Sequence, residues 1–179
     1  MTQTPYEKVG AFHQTFDSPV QKTPHALSKE QTLHRAGFKI EELVELLYAT
    51  ADNDSQQFEA SVAGLHQKID DAVQKIQRKN QSVDDVLVGQ VDAYIDLLYF
   101  TYGSFVLMGV NPEPLFDIVH EANMGKLFPD GKPHYDEHTH KVLKPSDWEE
   151  HYAPEPKIKA ELLKQKQNVE EDNEFSKFS

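Results

Sequence analysis

The sequence predicts an all-α fold: a four-helix arrangement followed by an irregular C-terminal loop region. Apolar residues recur at three- and four-residue intervals over most of residues 5–124, the spacing of a helix face. Helix-starting and helix-stopping residues bracket those stretches. The links between them are short, which favours antiparallel neighbours.

Residues 5–16 read as a short helix with Val9, Phe12 and Phe16 in register, ended by Ser18–Pro19, and a polar link runs on to Pro24. Ser28 with Gln31 three residues later is a capping-box signature, opening a first long helix to about Thr50. Its core stripe is Leu33, Ala36, Ile40, Val44 and Leu47. After the turn Asp52–Asn53–Asp54–Ser55, the stripe Phe58, Val62, Leu65, Ile69, Val73 and Ile76 predicts a second long helix. It closes on Arg78–Lys79–Asn80, basic residues where the helix dipole favours them.

Ser82 with Asp85 is a second capping box, starting a central helix that Gly109 ends. Asn111–Pro112 then reads as N-cap and first residue of a fourth long helix, to about Met124. From Gly125 the helical period stops. Residues 128–133 are turn chemistry, and a small hairpin is allowed over 127–145. Residues 158–167 read as a short exposed helix and 168–179 as a frayed, charged tail.

Composition limits the partners. The 179-residue chain is long enough for one domain with a core, and its net charge of −12 argues against nucleic acid polymers and anionic membranes. A small phosphorylated substrate remains open, since a divalent cation would supply positive charge. There is no cysteine, which removes disulfides and thiolate chemistry and agrees with a cytoplasmic location. The N-terminus lacks the charged start and apolar run of a signal peptide. Only residues 93–110 approach membrane-span length; Asp96, Thr101 and Ser104 mark them as a core helix instead.

The chemistry points to carboxylates. Glu41, Glu42 and Glu45 cluster on the first long helix, and Asp92 and Asp96 lie one turn apart on the central helix. An acid on a helix is commonly a solvated charge or half of an ion pair. Asp92 and Asp96, however, sit in the most apolar stretch of the chain, with no Lys or Arg between residues 80 and 125. Buried acids are normally paired or bound to metal. Hard oxygen donors gathered between helices suit Mg²⁺ or Mn²⁺.

Other residues offer competing chemistry. Asn123 and Lys126, at the end of the fourth helix, suit phosphate and nucleotide contacts, or simply cap helix carbonyls. Arg35, one turn before Lys39, could neutralise a glutamate or contact phosphate. Asp117-x-x-His120 is half of a di-iron bundle pattern, and His134, Asp136, His138 and His140 form a loop cluster that is more simply solvated.

The ordered set of motifs resembles the all-α NTP pyrophosphohydrolases, the MazG-like group, in the branch of phosphoribosyl-ATP pyrophosphohydrolase and dUTP-hydrolysing members. The resemblance lies in residues 9–13 through Pro24, Arg35 ahead of Glu41–Glu42-x-x-Glu45, residues 92–99, residues 119–126, the Asp130–Gly131–Lys132 turn and residues 141–144. It implies an NTP pyrophosphohydrolase domain over residues 1–150, with 151–179 as a charged extension. It also implies Mg²⁺-dependent cleavage, Mn²⁺ being the alternative ion, of a (d)NTP to (d)NMP and pyrophosphate, by a homodimer or homotetramer.

The family pattern is Glu-x-x-Glu followed by Glu-x-x-Asp. Glu42 and Glu45 match its first pair and Asp96 its last acid. Position 93 is Ala, and Asp92 stands in from four residues before Asp96, on the same face. The resemblance thus gives Glu42, Glu45, Asp92 and Asp96 to the metal, Glu41 or Glu45 to general-base catalysis, and Arg35, Asn123 and Lys126 to the substrate. A non-catalytic helical oligomer that binds metal or a partner is the alternative, and a di-iron oxidase a more distant one.

Overall fold

The helices Lys29–Thr50, Ser55–Lys79 and Val86–Met108 begin where side chains satisfy orphaned backbone N–H groups. Both bonds of the expected capping box form: Ser28 Oγ accepts from Gln31 N–H at 3.1 Å, and Gln31 Oε1 accepts from Ser28 N–H at 3.0 Å. Such a cap contributes about 1 kcal/mol. The computed structural model describes residues 3–16, 20–138 and 141–175, with side chains as far as residue 169. It shows α1 (Pro5–Phe16), α2 (Lys29–Thr50), α3 (Ser55–Lys79), α4 (Val86–Met108), α5 (Glu113–Met124), α6 (Trp148–Tyr152) and α7 (Pro154–Phe175). Among the described residues extended pairing is limited to an isolated antiparallel bridge between Tyr135 and Val142. The fold is all-α. Ser18–Pro19, expected to end α1, lies outside the described residues.

Three boundaries differ from expectation. The cap of α4 is Asp85, whose Oδ1 accepts from Val88 N–H at 3.1 Å, while Ser82 instead donates to Asp84. At Gly109, with φ +66°, the chain leaves α4 and enters α5 after turning through 118°, not by folding straight back. Beyond Gly125, α6 stands inside the expected loop region, and α7 runs from Pro154 to Phe175 in place of a short helix over 158–167 and a frayed tail from 168. Pro154 and Pro156 fall in the first turn of α7, where a missing N–H costs nothing.

The chain divides into two compact units, residues 23–95 and residues 1–22 with 96–179, the boundary falling within α4. In the first unit α2 packs on α3, with Tyr48 edge-on to Phe58 at 5.4 Å between ring centres. The side chain of Gln90 ties the segment before α2 to the start of α4. It accepts from Leu27 N–H at 2.8 Å and donates to Leu27 O at 3.0 Å. Burial is sparse here: Ala51 is the buried hydrophobic residue of this unit. The α2 stripe does not form a core within the chain, since Leu33 is 75% exposed and Ile40 exposed as well. The same holds for α4, which contributes no buried residue.

The other unit is cored. Helices α1 and α7 pack on α5. Phe16 is buried and stacks on Phe12 at 4.5 Å, its carbonyl accepting from Tyr135 Oη–H. Lys8 pairs with Asp117 across α1 and α5. Gln165 of α7 clasps Asn111, accepting from its N–H at 2.9 Å and donating to its carbonyl at 3.0 Å. The most buried aromatic of the C-terminal segment is Trp148, 5% exposed. At about 25 cal/mol per Å², burying an indole contributes roughly 4–6 kcal/mol before ordering costs. No single helix among the described residues is long and apolar enough to cross a membrane.

Candidate active site

Helix geometry places the acids as their spacing implies. Glu41, Glu42 and Glu45 follow one another on α2, and Asp92 and Asp96 are one turn apart on α4. Their surroundings differ from expectation, because all five residues are exposed in the chain. The apolar neighbours that should have enclosed Asp92 and Asp96 are themselves exposed, among them Val88 at 63% and Tyr99 at 75%. An apolar helix needs cover, but its composition does not say which surface provides it.

The carboxylates of Glu42, Glu45, Asp92 and Asp96 take no hydrogen bond or ion pair among the described residues. As uncommitted hard oxygen donors they fit Mg²⁺ or Mn²⁺ in chemistry. Among the described residues no three His, Asp or Glu side chains converge into a metal-binding group. Glu42, Glu45 and Asp92 belong to the 23–95 unit, and Asp96 is the first residue of the other segment of α4.

In the two turns before the glutamates, α2 carries Arg35 and Lys39. Arg35 lies over the Phe38 ring, its guanidinium carbon 5.4 Å from the centroid. Lys39 donates to Arg35 O at 3.1 Å and sits 4.8 Å over the Tyr94 ring. Burial, and then the nearby charge of Arg35, holds the Lys39 ammonium below the ordinary lysine range. Glu41 lies on a shallow, open groove along α2 with Leu33, His34 and Phe38.

Asn123 and Lys126 are brought together. Lys126 Nζ donates to Asn123 Oδ1 at 2.8 Å, on the partly buried end of α5. The competing clusters have other partners. Asp117 is committed to Lys8, and His134 Nε2 meets Asp130 Oδ2 at 2.9 Å. Asp136 Oδ1 accepts from His138 N–H at 3.1 Å, and His140 lies outside the described residues.

Sequence reasoning missed the support beneath the Asn123–Lys126 pair. Trp148 Nε1–H donates to Ala122 O at 2.8 Å. Tyr152 covers Gly125 so closely that a Cβ there would meet its ring at 2.3 Å. The available signal was the chain's one tryptophan, in a stretch without helical period.

The family model described as phosphoribosyl-ATP pyrophosphohydrolase matches residues 9–123. That span holds Arg35, all five acids and Asn123, and stops short of Lys126 and Trp148. The structure is similar to the crystal structure of a protein from Exiguobacterium sp. 255-15, provisionally assigned as an NTP pyrophosphohydrolase. The TM-score is 0.83 at 38% sequence identity, covering 94% of this chain and 99% of that one. Comparison with curated proteins gives no match. The chain belongs to the phosphoribosyl-ATP pyrophosphohydrolase family, within the all-α, MazG-like NTP pyrophosphohydrolases.

Proposed function

We propose that this chain hydrolyses a nucleoside triphosphate between its α- and β-phosphates, using Mg²⁺ or Mn²⁺, to release a nucleoside monophosphate and pyrophosphate. The observation that carries the reading is the set of four uncommitted carboxylates, Glu42, Glu45, Asp92 and Asp96, within a chain of this family. Those four would hold the cation. When bound, it neutralises phosphate charge and acidifies water.

The chain's own residues do the rest. Glu41 or Glu45 accepts a proton from the attacking water as its oxygen bonds to the α-phosphorus. The bond from that phosphorus to the bridging oxygen breaks, and pyrophosphate leaves with the electron pair. Lys126, steadied by Asn123 at 2.8 Å, carries a positive charge suited to phosphate oxygens. Arg35 offers guanidinium donors suited to phosphate oxygens.

The working species is a homodimer or homotetramer in this reading. It is supported by the twelve large apolar residues exposed on α4, Leu107 at 90% among them. Light scattering should return a multiple of 20.5 kDa; a monomer at micromolar concentration would refute it. The function is tested by incubating the protein with each common (d)NTP and Mg²⁺ and assaying pyrophosphate. Release from at least one, abolished by chelation, is expected. Stable metal binding with no turnover of any nucleotide would instead support the non-catalytic alternative.

A further inference from the structure

The end of α5 departs from a regular α-helix. Gly125 N–H reaches back four residues to Glu121 O at 2.8 Å. The next two amides reach back only three, Lys126 N–H to Asn123 O at 3.2 Å and Leu127 N–H to Met124 O at 3.1 Å. This tightening removes the donor that Ala122 O would meet in a continued helix. Ala122 is 4% exposed, so solvent is a poor substitute. A buried carbonyl needs a partner. The indole N–H of Trp148 supplies it at 2.8 Å, from a helix otherwise remote in sequence. The same tightened turn carries Lys126 Nζ to 2.8 Å from Asn123 Oδ1.

We propose that Trp148 is a positioning residue. By taking up Ala122 O, its N–H holds the end of α5 in the three-residue register and so holds Lys126 and Asn123 together as a phosphate-binding pair. Without that donor, Lys126 N–H returns to Ala122 O. The turn relaxes from 3₁₀ to α winding, a change of roughly 20° per residue, and the lysine swings off the amide. The phosphate-binding half of this rests on the proposed hydrolase function; the register half does not.

Two replacements test it. Trp148→Phe keeps an aromatic ring and removes the N–H. Because the chain has one tryptophan, biosynthetic incorporation can also make Trp148→benzothienylalanine, in which sulfur replaces the N–H and the shape is retained. Crystal structures of both, with NMR couplings across the hydrogen bond of Lys126 N–H, report which carbonyl accepts it. Pyrophosphate release gives KM and kcat. The expected result is transfer of Lys126 N–H to Ala122 O and loss of the Lys126–Asn123 bond. KM should rise roughly two- to tenfold, the scale of one hydrogen bond, with kcat nearly unchanged.

If the Phe variant fails to fold, the benzothienylalanine protein decides. An unmoved Lys126 amide in that protein overturns the proposal; a raised KM with that register intact is what a merely structural tryptophan gives. A shifted register with unchanged KM in an active enzyme overturns it equally. If the wild type hydrolyses no nucleotide, the hydrolase reading fails separately. The register and the affinity for inorganic pyrophosphate, which should fall in both variants, then decide the role of Trp148.

Discussion

The two units of this chain hold their shapes by different means. Residues 1–22 with 96–179 bury Phe16, Ala122 and Trp148, fasten α5 with side-chain bonds from Lys8 and Trp148, and hold the link before it through Gln165. Residues 23–95 bury Ala51, and their long helices α2 and α3 contribute no buried residue. The helix end carrying Asn123 and Lys126 therefore rests on a core of its own chain. The carboxylates of α2 stand on helices whose apolar stripes still lack cover.

The strongest way to sharpen that contrast is to remove an exposed carboxylate from α2 or α4. Glu45→Gln, and likewise Asp96→Asn on α4, should lower Mg²⁺-dependent pyrophosphate release by roughly 10²-fold or more, since under the proposed function each removes an anionic ligand or base. Stability should change little. Both carboxylates are exposed and unpaired, and surface substitutions of this kind usually stay within about 0.5 kcal/mol. Glu59→Gln, on α3, should leave turnover near wild type. Wild-type rates in Asp96→Asn beside a crippled Glu59→Gln would move the site elsewhere.

What was legible in the sequence follows the range of the physics. Caps and turns are local, so Ser28–Gln31 and the Asp52–Ser55 turn can be read from neighbouring residues; Asp54 indeed accepts from Gln56 and Gln57 N–H. Asn123 and Lys126 stand three residues apart where α5 ends, so their nearness too is local. Burial is not local. The apolar residues around Asp92 and Asp96 show that α4 seeks cover, but a one-dimensional pattern cannot distinguish cover by this chain from cover by another. Trp148 was missed for the same reason: its partner, Ala122 O, is 26 residues away and has no side-chain signature. Helix α7 starts before residue 158 because Pro154 and Pro156, which resemble loop residues, fit a first helical turn.

Glycine substitutions probe the same difference at intermediate scale. A Cβ added at Gly37, in the middle of α2, would meet no other group within 4 Å among the described residues. Gly37→Ala should therefore stabilise by about 0.5–1 kcal/mol, the ordinary helix preference. Gly125 also has a helical φ of −64°, yet its Cβ would meet Tyr152 at 2.3 Å. Gly125→Ala should destabilise by about 1–3 kcal/mol through overpacking. Urea unfolding measures both. Adding Tyr152→Ala should recover much of the Gly125→Ala loss, as expected of residues in contact. Equal effects at the two glycines would erase the distinction between the cored and the open unit.

The smallest effect should come from the exposed turn that follows α5. Asp130 accepts from His134 Nε2 at 2.9 Å and from Lys132 N–H at 3.0 Å. The His134 bond, and then the backbone bond from Lys132, hold the Asp130 carboxyl below the usual aspartate range. A carboxylate with a depressed folded-state pKa binds fewer protons in the folded state than in the unfolded one. Its contribution is therefore complete above the unfolded value of about 3.9 and is lost as pH falls through the lower folded value. Asp130→Asn keeps the shape and an accepting oxygen while removing the charge, so the difference between the two proteins isolates that term. Thermal unfolding should show wild type slightly above Asp130→Asn at pH 6, with the gap closing only as pH drops below 4. Because the turn is exposed, added salt should narrow the gap at pH 6. A gap that instead widened on acidification would mean that the carboxylate is stabilised by protonation, opposite to the bonds seen at Asp130.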